Sequence, residues 1–212
     1  MRRQSDPNST ESPLEKGRLV LASASPRRSA LLDEMGLEFE IHPADIDETP
    51  FPDEVPRELV RRLARSKAQA VTDSRRIGER RFILGSDTLV VLDDEPIGKP
   101  VDPEDAIRML ERLTGRIHTV MTGIAVLDVQ TSVILDQVVE SQVHMRDASR
   151  DEISRYVALG ESLDKAGAYA LQGEGRRFVT QVEGSESNVI GLPLEETRAL
   201  LEKATPEAEG VA

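Results

Sequence analysis

The sequence predicts an α/β chain, and three stretches carry that reading. Residues 19–32 run from a short apolar segment through a polar turn into a helix. Phe82–Leu92 is a near-continuous β-forming segment of the kind buried on both faces of a sheet. Residues 117–128 and 132–145 are long β segments with a short polar connection, readable as a hairpin. Helical periodicities lie before, between and after them.

Composition narrows the function. The 212 residues are 38% hydrophobic and 31% charged, as in an ordinary globular protein, and can bury a substantial core. A formal charge of -12 argues against nucleic acid or an anionic membrane as partner, so any phosphate site must be a local basic pocket. There is no cysteine, which removes disulfides, thiolate ligands and a cysteine nucleophile. Zero tryptophan and 3% aromatics count against base-stacking capture of single strands. No apolar run approaches the ~20 residues that span a bilayer. The polar stretch after Arg2 and Arg3 has no apolar region, so no export signal is expected and a cytoplasmic protein is.

Taken in order, residues 1–17 are polar and rich in Ser, Pro and Glu, and are expected to form a disordered tail. The same holds for residues 205–212, with one domain expected over 18–204. Leu19, Val20 and Leu21 read as a buried strand, Ser25 as an N-cap and Pro26 as a first helical residue, where a missing N–H costs nothing. Arg27 and Arg28 then sit in the first helical turn, where the dipole makes a cation the wrong sign. Either an anion, best a phosphate, occupies this helix N-terminus, or the two arginines are simply solvated. Gly36 is placed to cap the helix; Leu37, Phe39 and Ile41 alternate as a half-buried strand, and an acidic turn follows at 45–49.

The periodicity at 56–71 gathers Leu59, Val60, Leu63, Ala64, Ala68 and Val71 on one helical arc, with Arg61, Arg62, Arg65 and Gln69 opposite. Lys67 falls in the middle of the apolar arc, so it either snorkels out or meets an anionic partner inside. Asp87 interrupts the Phe82–Leu92 strand. It is either a buried carboxylate with a partner or metal, or one that caps nearby backbone; Gly85 beside it would permit close approach of a ligand. A turn at 93–96 leads to Gly98, Lys99 and Pro100.

Asp102 and Pro103 open a helix to Leu113, stopped by Gly115, with Ala106, Met109, Leu110 and Leu113 at core spacing. His118 and His144 in the hairpin are read as structural or surface residues, because no metal-ligand spacing accompanies them. Ser149 and Glu152 form a capping box for a helix to about Leu159. A glycine-rich region at 164–175, a strand near 177–182, a loop through 188–194 and a helix through Leu201 complete the reading.

Arg27, Arg28, Glu48, Lys67, Asp87, Lys99 and Lys165 are thus cations and carboxylates in or near turns. No serine–histidine or cysteine–histidine pair accompanies them. Such a set describes a site for a polyphosphate and a divalent metal.

SASPRR at 23–28, DIDET at 45–49, ARSKA at 64–68, GSDT at 85–88, GKP at 98–100, TGRIHTVMTG at 114–123, DKAGAYALQG at 164–173 and NVIGLPL at 188–194 occur in one order. With these motifs the chain resembles the Maf family of nucleoside triphosphate pyrophosphatases. The resemblance implies a mixed α/β fold with a strongly twisted central sheet, flanking helices and two lobes around a cleft. It implies hydrolysis of a nucleoside triphosphate between the α and β phosphates, and a homodimer. By the same resemblance Asp87 matches a proton acceptor, Glu48 an acidic residue that helps hold the metal, and Ser23, Arg28, Lys67 and Lys99 a phosphate site. Asp87 and Glu48 would hold Mg²⁺ or Mn²⁺, hard cations that take oxygen ligands.

Arg27, Thr88 and Gln172 match the subgroup resembling dTTP/UTP pyrophosphatases, and Lys165 is assigned to substrate binding with them. A carboxamide at Gln172 can donate to a pyrimidine O4 while accepting from N3–H. Ser86 and the wording DIDETP resemble instead the 7-methyl-GTP subgroup, and Ala170 replaces a glycine usual in the first. The expected reaction is dTTP and UTP hydrolysis. The alternatives are 7-methyl-GTP hydrolysis, or a nucleotide-binding regulator of septum formation with little turnover.

Overall fold

The computed structural model describes residues 19–72 and 82–205. Both expected tails lie outside the described residues, apart from Thr205. Strands β1 (Leu19–Leu21), β2 (Phe39–Ile41), β3 (Phe82–Leu92), β4 (Glu95–Ile97), β5 (Ile117–Asp128), β6 (Ile134–Met145) and β7 (Val179–Glu183) form one mixed sheet. Its order is β2-β1-β3-β5-β6-β7, with β4 also paired to β3. β1 is parallel to both β2 and β3, and the remaining pairings are antiparallel.

The ladder on β3 creates the cleft. On one edge β5 pairs with β3 from Phe82 to Val91. On the other edge β1 covers Phe82 to Leu84 and β4 covers Val90 to Leu92. Among the described residues, no strand pairs with the intervening positions 85–89 on that side. β4 was not foreseen as a strand; Asp93 and Asp94 both take positive φ, which closes a two-residue hairpin and folds β4 back on β3.

Helices cover both faces. α2 (Pro56–Ala70) packs Ala64 and Ala68 against Ile83 and Ala125. On the opposite face, α1 (Pro26–Glu34) and α6 (Leu194–Ala204) bring Leu31, Leu32, Leu200 and Leu201 against Phe82, Leu84, Ile124 and Val126. A third apolar cluster lies at the other end of the same strands. There Val90, Leu92 and Val120 meet Leu110 and Leu113 of α3 (Pro103–Leu113) and Ile153 and Tyr156 of α4 (Arg150–Val157). The long strands therefore carry a core at each end.

Gly85 changes meaning in this setting. A Cβ there would stand 2.1 Å from the Ala64 carbonyl oxygen and 2.8 Å from the Ala68 nitrogen. The close approach it permits is that of the α2 backbone, not of a ligand. Gly123 does the same under Val60, whose carbonyl oxygen would lie 2.3 Å from an added Cβ.

Smaller departures have local causes. Ser25 occupies the N-cap of α1, but its side chain makes no cap bond. Ser149 accepts from the Glu152 N–H, whereas the Glu152 carboxylate turns to Arg146, so only half of the capping box forms. Residues 174–178 form a 3₁₀ turn, and the following strand starts at Val179. The segment expected as a loop at 188–194 opens instead in a short helix, α5 (Glu186–Ile190). Ser185 caps it by accepting from the Asn188 N–H, and Gly191 at φ 128 ends it.

Candidate active site

All ten residues singled out for the site line one cavity of about 760 Å³: Ser23, Arg27, Arg28, Glu48, Lys67, Asp87, Thr88, Lys99, Lys165 and Gln172. It opens at the interrupted edge of β3. Because it sits at an edge, both sheet faces contribute. Asp87 shares the α2 face with Gly85, and Thr88 shares the α1 face with Ser86.

On the α2 face the expected oddity of Lys67 is resolved. Its side chain does not snorkel; it is 10% exposed, and its ammonium lies 2.6 Å from Asp87 Oδ1 and 2.6 Å from Glu48 Oε1. Asp87 is itself only 7% exposed. Gly85 makes this possible, since the helix must lie close to the strand for Lys67 to meet Asp87. Burial pushes the Glu48 carboxyl up, but the hydrogen bond and charge of Lys67, with Lys99 and Arg28 beyond it, outweigh burial and hold it below its ordinary value.

Glu48 comes from the loop before α2, and that loop is tied down by Arg62. The Arg62 guanidinium donates to both Glu54 oxygens at 2.7 and 2.8 Å and to the Thr49 carbonyl at 3.0 Å. It also stacks 4.0 Å from the centre of the Phe51 ring. Helical periodicity marks Arg62 only as an outward-facing residue; the cation on the outer face is what fixes the acidic loop.

On the other face Arg28 joins three chain segments. Nε donates to the Gly191 carbonyl at 2.9 Å, Nη1 to Ser23 Oγ at 3.0 Å and Nη2 to Thr88 Oγ1 at 3.1 Å. A guanidinium has five N–H donors. Each Nη of Arg28 therefore keeps one for a ligand. Burial lowers its proton affinity and the neighbouring Arg27 adds to this, while Asp87 and, more weakly, Glu48 restore only part of it. Ser86 Oγ also donates to the Gly191 carbonyl, at 3.2 Å.

The remaining residues come from loops. Arg27 donates to Asp164 at 3.2 Å, and Lys165 bonds to the Glu161 carbonyl at 2.7 Å and to Asp164. Asp164, unselected from the sequence although it adjoins Lys165, thus bridges two of the predicted cations. The backbone N–H of Gly167 donates to the Gly98 carbonyl at 3.1 Å, joining the loop of Lys99 to that of Lys165 and Gln172. Lys99 and Gln172 are exposed on the wall, and their side chains have no hydrogen-bond partner among the described residues. His118 and His144 stand apart. His118 is buried and hydrogen-bonded to Tyr169 at 2.8 Å, and His144 pairs with Glu183.

Glu48 Oε1 and Asp87 Oδ1 both contact the one Lys67 ammonium at 2.6 Å, so they lie no farther apart than twice that distance. Two hard carboxylates are a fitting donor set for Mg²⁺ or Mn²⁺ shared with substrate phosphates. Among the described residues no third acidic or histidine side chain completes a protein-only cage. The cation-rich rest of the cavity suits the phosphates themselves.

A family model described as Maf-like protein matches residues 18–204. The chain is 52% identical over 189 residues to a protein of Anaeromyxobacter dehalogenans (strain 2CP-C) named dTTP/UTP pyrophosphatase, covering 88% of this chain and 94% of that one. It is 49% identical over 181 residues to a Geobacter sulfurreducens protein of the same name, with coverage of 85% and 93%. A Shewanella denitrificans protein, likewise so named, is 48% identical over 187 residues, covering 86% and 93%. A match from residue 18 to residue 204, with about half of the aligned residues shared with such relatives, means that the chain belongs to the Maf-like protein family.

Proposed function

We propose that this chain is a dTTP/UTP pyrophosphatase, which hydrolyses the α–β phosphoanhydride of dTTP and UTP to the monophosphate and pyrophosphate. The observation that carries the reading is the Glu48–Lys67–Asp87 cluster, set in a cavity whose other walls hold Arg28 and Lys99. Relatives that share half of their residues with it bear that activity as their name.

In this mechanism Asp87 takes the proton from the attacking water. Lys67 engages Oδ1, which leaves Oδ2 as the accepting atom and holds the carboxylate in one orientation. Glu48 and Asp87 are the residues that would hold Mg²⁺ or Mn²⁺. Such an ion supplies Lewis acidity toward the phosphate oxygens and toward water. Arg28 gives its two spare N–H groups to the triphosphate, Ser23 holds Arg28, and Lys99 and Lys67 offset charge that develops on the phosphoryl oxygens. Arg27, Gln172 and Lys165 form the end of the cavity that meets the base, with Thr88 setting the position of Arg28. The domain is taken as 18–204, and the protein as a cytoplasmic homodimer.

The test is pyrophosphate release from a panel of purified triphosphates with Mg²⁺ or Mn²⁺. Turnover of dTTP and UTP well above that of other triphosphates is expected. Turnover of 7-methyl-GTP alone would overturn the substrate assignment, and tight binding without turnover would replace the enzyme by a regulator.

A further inference from the structure

Thr88 and Thr122 stand opposite each other in the β3–β5 ladder, and their hydroxyl oxygens are 2.9 Å apart. Thr122 is fully buried and does not line the cavity. A hydroxyl has one proton to give. That of Thr122 goes to the Asn188 carbonyl at 3.0 Å, an atom that can only accept. Thr122 must then accept from Thr88, which uses the only proton Thr88 has. What remains for Arg28 is a Thr88 lone pair, and Nη2 donates into it. Donation therefore runs one way, from Arg28 to Thr88 to Thr122 to the Asn188 carbonyl. The far end is anchored, because Asn188 Nδ2 donates to the Val120 carbonyl at 3.1 Å and to Ser141 Oγ at 3.0 Å.

We propose that Thr122 is a positioning residue of the active site: by taking the Thr88 proton it makes Thr88 a pure acceptor and so fixes the guanidinium of Arg28 for the triphosphate. The proposal rests on the pyrophosphatase reading above. Without the Thr122 hydroxyl, the nearest acceptor left for Thr88 is the Gly191 carbonyl, 3.5 Å away. That oxygen already receives Arg28 Nε and Ser86 Oγ. Thr88 would then compete with Arg28 for an acceptor instead of serving as one.

The experiment compares Thr122→Val, which keeps the shape and loses the hydroxyl, with Thr122→Ser, which keeps the hydroxyl. Steady-state kinetics with dTTP and UTP are read alongside calorimetric binding of inorganic tripolyphosphate and the melting temperature. The valine variant should raise KM for both nucleotides and Kd for tripolyphosphate by about tenfold, the usual scale for losing a charge-assisted hydrogen bond. Its kcat should stay within about threefold, and the serine variant should match the parent within about twofold. Thr88→Val combined with Thr122→Val should be no worse than Thr88→Val alone, because both act through one contact. Should the valine variant fail to fold, Thr122→Ala takes its place. Unchanged KM and Kd in the hydroxyl-less variant, a serine variant equally impaired, or additive effects in the double variant would each overturn the relay. A parent protein that ignores dTTP and UTP would instead overturn the substrate assignment, and tripolyphosphate binding would still decide the relay.

Discussion

Asp87 and Glu48 share one lysine but differ in setting, and that difference predicts how each responds to substitution. Asp87 is buried in a strand, whereas Glu48 sits on an exposed loop. Asp87→Asn removes the proposed proton acceptor and should lower kcat by about 10²–10⁴, the range of general-base catalysis. Glu48→Gln should lower it by a comparable factor and shift the Mg²⁺ dependence to higher concentration. Both variants should melt close to the parent, because the carboxamides can still accept from Lys67; a near-normal kcat in either would rule out its role. Asp164 acts on the cations rather than on the phosphates. Asp164→Asn should loosen Arg27 and Lys165 together, raising KM for dTTP several-fold and leaving kcat within about twofold, as initial-rate measurements would record.

At the scale of the element, α2 is the part that brings the site together. Its underside is fitted to β3 and β5 by two glycines, its apolar arc delivers Lys67, and its outer face holds the Glu48 loop through Arg62. Gly85→Ala puts a methyl carbon 2.1 Å from a backbone oxygen that no rotamer change can move aside. It should cost about 3 kcal/mol, the upper end of ordinary overpacking, and its melting curve should show a correspondingly lower midpoint. Arg62→Ala should leave most of the stability in place and raise the concentration of Mg²⁺ needed for half-maximal rate, because the loop that carries Glu48 loses its tether.

The same helix shows what was legible in the sequence. Lys67 and Asp87 could be read because each breaks an apolar pattern, and a charge among apolar neighbours demands a partner. Most strand and helix assignments held because their periods are long enough to count. Arg62 was opaque, since an arginine on an outer face is equally well satisfied by water. Gly85 was misread because a glycine shows that something comes near without showing what. Thr122 carries no charge, and its meaning depends on which atoms face it across the ladder. α5 is five residues long, too short for any period to register.

For the whole molecule, acid stability follows from a buried ring. Burial, with a smaller contribution from His144, pulls His118 down from 6.5 to about 4. As pH falls from about 6.5 toward 4 the unfolded chain takes up a proton that the folded chain refuses, so stability declines across that window by roughly 3 kcal/mol at most. His118→Gln should flatten this part of the pH profile of the melting temperature, and a profile of unchanged slope would exclude His118 as its cause. Metal removal should behave differently. Chelation should abolish turnover, and Mg²⁺ or Mn²⁺ should restore it, while the melting temperature stays within a few degrees, since the three core clusters consist of apolar side chains that do not ligate an ion. The cleft itself is a stretch of β3 left between the ends of β1 and β4, past Leu21 and Ile97. A descendant could therefore fall silent if β1 and β4 lengthened until they covered positions 85–89, which would fill the gap with ordinary sheet although every charged residue was still present in the sequence. Inheritance of the activity in this lineage is thus a matter of strand length as much as of chemistry, and a tally of functional groups would count such a descendant as an enzyme.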